Sequence, residues 1–223
     1  MKAVLAIALV ARVAVADPPL PRVVTAPTGW IQAENTVAGS ASLDHRGASA
    51  VVVSYGLGGL AAIELGADSD LRECAPCAAV LEPHAAFRIG ARGVALVVQT
   101  GFGDSRASSA VLVGSRVLGP VRLHAGVEAL DGRVGTVRLG TTVRPVGGIE
   151  LTPPQYPKTT LLGDLAWESR LDATAPALEW LAGWGVRYQA LRWGSIELDV
   201  RHREGEGLGG STVLVRVNGV VGL

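Results

Sequence analysis

The chain has 223 residues, as many acidic as basic groups, 48% hydrophobic residues and only 18% charged ones. That balance excludes an intrinsically disordered chain and a basic nucleic-acid binder. Twenty-nine glycines and an aromatic share of 4% depart from the Glu/Lys/Ala blend of long helices and lean towards β structure in one domain.

At the N-terminus, Lys2, the apolar run Ala3 to Ala11 and the triplet Ala14-Val15-Ala16 predict a signal peptide over residues 1–16, with cleavage before Asp17 and export of the rest. Arg12 interrupts the end of the apolar core, and no Cys follows it to carry a lipid anchor. Pro18, Pro19, Pro21 and Pro27 exclude helix and central strand. Residues 17–29 are therefore expected as an extended leader and residues 30–223 as the folded domain. Beyond residue 30 no stretch approaches the ~18 apolar residues of a membrane-spanning helix.

The segment 36–44 is a candidate strand, either part of a wall or an N-terminal plug. From there, segments 49–56, 60–67, 84–92, 94–102, 107–117, 120–129, 133–143, 146–153, 160–170, 178–190, 195–203 and 213–223 alternate apolar with polar or small residues between Gly-, Pro- or Asp-containing turns, the pattern of half-buried strands. In Pro120 to Ala129 the apolar phase is Val121, Leu123, Ala125, Val127 and Ala129, against Arg122, His124, Gly126 and Glu128. In Ser195 to Arg203 it is Ile196, Leu198 and Val200, and in the last strand Val213, Val215, Val217, Val221 and Leu223.

Residues facing each other across a hairpin must share a face. That condition predicts a two-residue loop at Arg92-Gly93, pairing Ile89 with Leu96 and Phe87 with Val98. It predicts three-residue loops at Asp131-Gly132-Arg133, pairing Val127 with Val137 and Ala125 with Leu139, and at Arg192-Trp193-Gly194, pairing Val186 with Val200, Tyr188 with Leu198, and Arg187 with Asp199.

Cys74-Ala75-Pro76-Cys77 lacks the partner ligands of a zinc site and the βαβ context of a redox motif, so in an exported chain a local Cys74–Cys77 disulfide is expected. Counting strands back from the C-terminus places that loop on the periplasmic side. Trp167, Trp180, Trp184, Trp193 and Tyr188 cluster near strand ends, as an interfacial aromatic girdle would. No nucleophile elbow, zinc-protease or phosphate-loop motif is present. His45, His84 and His202 carry no catalytic pattern, and the Glu204-Gly205-Glu206-Gly207 turn lacks the ligand count of a calcium loop.

A soluble barrel and a membrane barrel both satisfy this alternation, and the number of ~10-residue strands favours the membrane form. The expected fold is an all-β, antiparallel, up-and-down transmembrane β-barrel of about twelve strands. Its lumen would be lined by Arg88, Arg122, His124, Glu128, Arg138, Arg187, Glu197, Asp199, Arg201 and Arg216.

With the exported leader, the alternating strands and the terminal Val213-x-Val215-x-Val217 strand, the chain resembles bacterial outer-membrane β-barrel proteins. It departs from them at Leu223, where that family usually ends in Phe or Trp. The resemblance implies the bacterial outer membrane as location, with membrane lipid and the barrel-assembly machinery as partners, and no nucleic acid or cofactor. The function expected is a narrow channel for a small polar solute, or a structural envelope protein. A lipid-acting enzyme using His124 and Glu128, and a soluble periplasmic barrel binding an apolar ligand or an envelope partner, are the alternatives.

Overall fold

Period-two alternation commits a segment to extended backbone with two chemically different faces. Such strands, when amphipathic and numerous, remove their open edges by closing into a ring. The computed structural model describes residue 20 and residues 22–70, 80–102, 105–134, 137–170 and 177–223. Among the described residues, twelve strands form one closed ring: β1 (Thr36–Asp44), β2 (Ser49–Leu57), β3 (Ala61–Asp70), β4 (Val80–Ala91), β5 (Val94–Gly101), β6 (Ser105–Leu118), β7 (Val121–Val134), β8 (Val137–Leu151), β9 (Thr159–Arg170), β10 (Ala177–Leu191), β11 (Gly194–Arg203) and β12 (Thr212–Gly222). Each strand pairs antiparallel with its neighbours in sequence, and β1 closes on β12 from Thr36↔Gly222 to Asp44↔Leu214.

The segment 36–44 is thus a wall strand. The expected strands 133–143 and 146–153 are one, because β8 runs unbroken through Arg144-Pro145, with Val127 opposite Pro145. These two differences cancel in the strand count. The Arg92-Gly93 turn pairs Ile89 with Leu96 and Phe87 with Val98. Both turn residues have positive φ, 53° and 80°, as a tight two-residue hairpin of the favoured twist requires.

The other two hairpins differ from expectation. Asp131, Gly132 and Arg133 are strand, opposite Thr141, Gly140 and Arg138, and β7 runs on to Val134, with the extra residue of the register shift being Leu139 on β8; Val127 therefore faces Pro145 and Ala125 faces Gly147. At the second hairpin the turn is the pair Arg192-Trp193. A register shift between Tyr188 and Leu191 sets Val186 opposite Leu198, Tyr188 opposite Ile196 and Arg187 opposite Glu197.

The two faces separate sharply. Leu198 is 56% exposed and Asp199, the next residue, 0%. Leu65, Phe87, Leu96, Val127, Val215 and Val217 likewise point outward and are exposed. A soluble barrel packs its aliphatic stripe inward; here the stripe forms a continuous outer band, and the inner face carries charge, as a transmembrane barrel requires. Tyr188, Trp184 and Trp193 lie on the outer surface and are exposed, while Trp167 and Trp180 face each other across β9 and β10 and are half-buried.

Connections differ at the two ends. The two-residue turns 92–93, 119–120 and 192–193, the three-residue turn 58–60 and the longer connection 152–158 lie at the end that also holds Gly222 and Leu223. Asp70 and Val80, which flank Cys74 and Cys77, lie at the other end, opposite to the side predicted by counting back from the terminus. The signal-peptide region 1–16, both cysteines and their expected disulfide lie outside the described residues.

One seam of the wall is short. β7 and β8 pair over fourteen residues and β9 and β10 over twelve, but β8 and β9 pair only from Leu151↔Leu161 to Gly147↔Leu165. Pro145, which has no N–H to offer, sits just past the last pair, on an edge where a missing donor is tolerated. The indole Nε1 of Trp167 donates to the Pro145 carbonyl at 2.8 Å, and the Arg144 guanidinium lies 4.9 Å from the centre of the Trp167 ring.

An outward Leu198→Arg substitution is expected to destabilise the barrel by about 2–4 kcal/mol if the band faces hydrocarbon, whereas Gly209→Arg in the exposed 204–211 connection changes little. Urea unfolding in lipid vesicles measures both; equal effects contradict the outward assignment.

Candidate functional site

The barrel interior is occupied by the chain's own N-terminal segment. Residues 22–29, expected as an extended leader, turn back on themselves: Val23 N–H donates to the Ala26 carbonyl at 2.9 Å, and Arg22 and Pro27 form a bridge. Val23, Val24, Ala26 and Thr28 are fully buried. The segment's contacts fall on strands from every side of the ring, which places it inside.

Most of those contacts are to its main chain. One oxygen of Asp164 on β9, Oδ2, accepts the N–H groups of Val24, Thr25 and Ala26 at 3.0, 2.5 and 2.7 Å. Arg216 on β12 donates to the Val24 carbonyl at 2.6 Å and Arg187 on β10 to that of Val23 at 3.4 Å. Arg88 on β4 donates to the Thr28 carbonyl and, at 3.4 Å, to that of Trp30. The hydroxyl of Ser115 on β6 accepts the Gly29 N–H at 2.6 Å, and Gln32 bonds Ser54 on β2. A buried irregular segment needs partners for its backbone polar groups, and inward polar side chains supply them for the groups named above. Two wall glycines make room for it: a Cβ on Gly148 would stand 2.8 Å from Val23 Cγ2, and one on Gly183 3.0 Å from Val24 Cβ.

Behind the plug runs a belt of ion pairs. The Arg187 Nε lies 2.5 Å from Glu197 Oε1 and its Nη1 3.2 Å from Glu150 Oε2. Arg122 reaches the same Glu150 oxygen at 3.2 Å, and Arg216 reaches Glu197 Oε2 at 2.9 Å and Asp199 at 3.9 Å. Asn218 donates to Glu197 at 2.8 Å. Arg187, Glu150, Glu197 and Asp199 are at most 1% exposed. Charges this deep are costly unless paired and hydrogen-bonded, as Arg187, Glu150 and Glu197 are; neither oxygen of Asp199 receives a hydrogen bond from the described residues.

Of the ten residues predicted to line the lumen, Arg122, His124, Arg187, Glu197, Asp199 and Arg216 meet in this belt. Arg88 holds the plug. Glu128 and Arg201 border a cavity of about 220 Å³ above the plug turn, at the end away from the C-terminus. Arg138 does not join them: it is exposed near the end of β8, in register with Arg133. His84 lies within β4, buried and 3.2 Å from Asp68.

Sequence reading missed Glu150, Asp164, Glu64 and Ser115. Glu150 lies between Ile149 and Leu151, and Glu64 between Ile63 and Leu65, so the alternation alone put each carboxylate on the polar face. What no periodicity shows is which of these groups a plug would meet.

Ser115, His124 and Glu150 form a row, with the Ser115 hydroxyl 2.6 Å from His124 Nδ1 and His124 Nε2 3.2 Å from Glu150 Oε1. A nucleophile, base and acid in that order could run acyl transfer. Here Ser115 is engaged by the Gly29 N–H, Glu150 is shared with two arginines, and the 220 Å³ cavity and two smaller ones, of about 140 and 120 Å³, are bordered by none of the three. The row ties the plug to the charge belt.

Replacing Arg187 with Met leaves Glu150 and Glu197 without a central cation and is expected to cost about 3–5 kcal/mol. Denaturant unfolding in vesicles checks this, and a loss under 1 kcal/mol contradicts the belt's structural weight.

The sequence matches no protein-family model and no curated protein. The fold is similar to solved bacterial outer-membrane barrels. A structure of the NanC porin aligns with TM-score 0.53 at 8% identity, covering 84% of this chain and 99% of that one. The translocator domain of the autotransporter NalP from Neisseria meningitidis gives 0.36 at 13% identity, over 84% and 86%. At these identities the likeness concerns the fold alone.

Proposed function

We propose that this chain is a bacterial outer-membrane channel of low conductance, closed at rest by its own N-terminal segment. The single observation that carries the reading is a plug whose main chain is hydrogen-bonded to inward side chains from several sides of the ring. A barrel that only stiffened the envelope could fill its core with bulky apolar side chains; this one holds charge, cavities and a segment that is not part of the wall. A twelve-stranded ring is narrower than the ~16–18 strands of open porins, so a plug of this width leaves passage only for ions and small polar solutes. The turns at the end holding the C-terminus, short except for 152–158, fit a periplasmic position, which turns the 220 Å³ vestibule to the outside. Membrane lipid and the assembly machinery would be its partners. A lipid-acting enzyme is disfavoured because the Ser115–His124–Glu150 row faces the plug and not the outer, lipid-facing surface.

Asp164 is the firmest anchor, and Asp164→Ala strands three buried N–H groups. In planar bilayers, wild-type protein should stay mostly closed, while Asp164→Ala, shown to be folded by heat-modifiable gel mobility, should open frequently. Indistinguishable closed traces from the two folded proteins would contradict a plug-gated channel.

A further inference from the structure

Three lumen cavities meet at one side chain. The vestibule of about 220 Å³, a space of about 120 Å³ beside the plug turn and a space of about 140 Å³ beside residues 30–33 are all bordered by Glu64, the one residue among the described residues common to all three. Their placement is asymmetric. Asp164, Arg187 and Ser115 fasten the plug to β9, β10 and β6, and Arg216 on β12 fastens it at the edge of the 120 Å³ space. On the Glu64 side Arg88 on β4 and Ser54 on β2 hold residues 28–32, and the rest of that wall is built of small side chains such as Ala38, Ser40, Ser42 and Ala62, leaving space between plug and ring. Across that space Arg22 of the plug reaches Glu64 at 2.8 Å.

Resting on the channel reading, we infer that the permeation path runs along the β1–β5 wall, that the Arg22–Glu64 pair is its latch, and that Glu64 is the selectivity site, taking small inorganic cations such as K⁺. Glu64 is 8% exposed, so an ion passing it is partly stripped of bulk water, and a carboxylate in such surroundings acts on it far more strongly than in open solvent. While Arg22 is in place the site is neutralised and obstructed. When Arg22 withdraws, the same carboxylate becomes the charge that a passing ion meets.

Arg22→Gln and Glu64→Gln both break the latch and leave opposite charges behind, which separates an electrostatic role from a purely structural one. The folded full chain and each variant are compared in planar bilayers under a KCl gradient. Both variants should conduct several-fold more than wild type. The reversal potential should move towards the K⁺ equilibrium value for Arg22→Gln, and away from it for Glu64→Gln, where Arg22 and Arg88 remain. If Asp164→Ala conducts but the two latch variants share one reversal potential, or stay as closed as wild type, this inference fails and the plugged channel stands. If all three folded variants are silent, both fail.

Discussion

An arginine buried in a protein wall is stable only when its N–H groups find acceptors, and Arg187 finds Glu150, Glu197 and the carbonyl of Val23. That one guanidinium joins three strands to the plug. Around it Arg122, Arg216 and Asn218 complete an arc from β7 to β12 in which Glu150 and Glu197 are each shared between two arginines, while Asp199 lies 3.9 Å from Arg216 with neither oxygen hydrogen-bonded to the described residues. Without such an arc the inner face would be a set of uncompensated charges, each costing several kcal/mol to hold away from water. The aliphatic outer band is free to face lipid because the inner face has settled its own electrostatics.

The plug is recognised largely through its backbone. Asp164 accepts three successive N–H groups, and arginines from β4, β10 and β12 donate to carbonyls. The wall thereby supplies to an irregular segment what a neighbouring strand would have supplied. Shape enters at only a few places, chiefly where Gly148 and Gly183 admit Val23 and Val24. A segment held in this way can be bound firmly on one side and leave space on the other.

Much of the fold was legible because strand faces depend on parity and not on register. The predicted pairings of Val186 with Val200 and of Val127 with Val137 are off by two and by eight residues, and the observed partners are Leu198 and Pro145. Both offsets are even, so Leu198 still faces out and Asp199 in. The break expected at Arg144-Pro145 came from reading a proline as an end; in the ring it occupies a local edge and the strand continues. The plug was not legible. Residues 20–33 are short, rich in proline and without period, and what places them is the arrangement of Asp164, Arg88 and Ser115 on distant strands. Arg138 has the chemistry of a lumen residue but lies beyond the extra residue Leu139, where the phase of β8 is reset.

The short ladder between β8 and β9 gives the ring a mechanical asymmetry. A closed hoop of hydrogen-bonded staves resists expansion equally only if every joint has comparable strength, and this joint has five paired positions where the flanking ones have fourteen and twelve. Along that line the ladder contributes least to holding the hoop together. Trp167, bonded to the Pro145 carbonyl and lying against the Arg144 guanidinium, adds side-chain contacts from β9 to β8 where main-chain pairing stops.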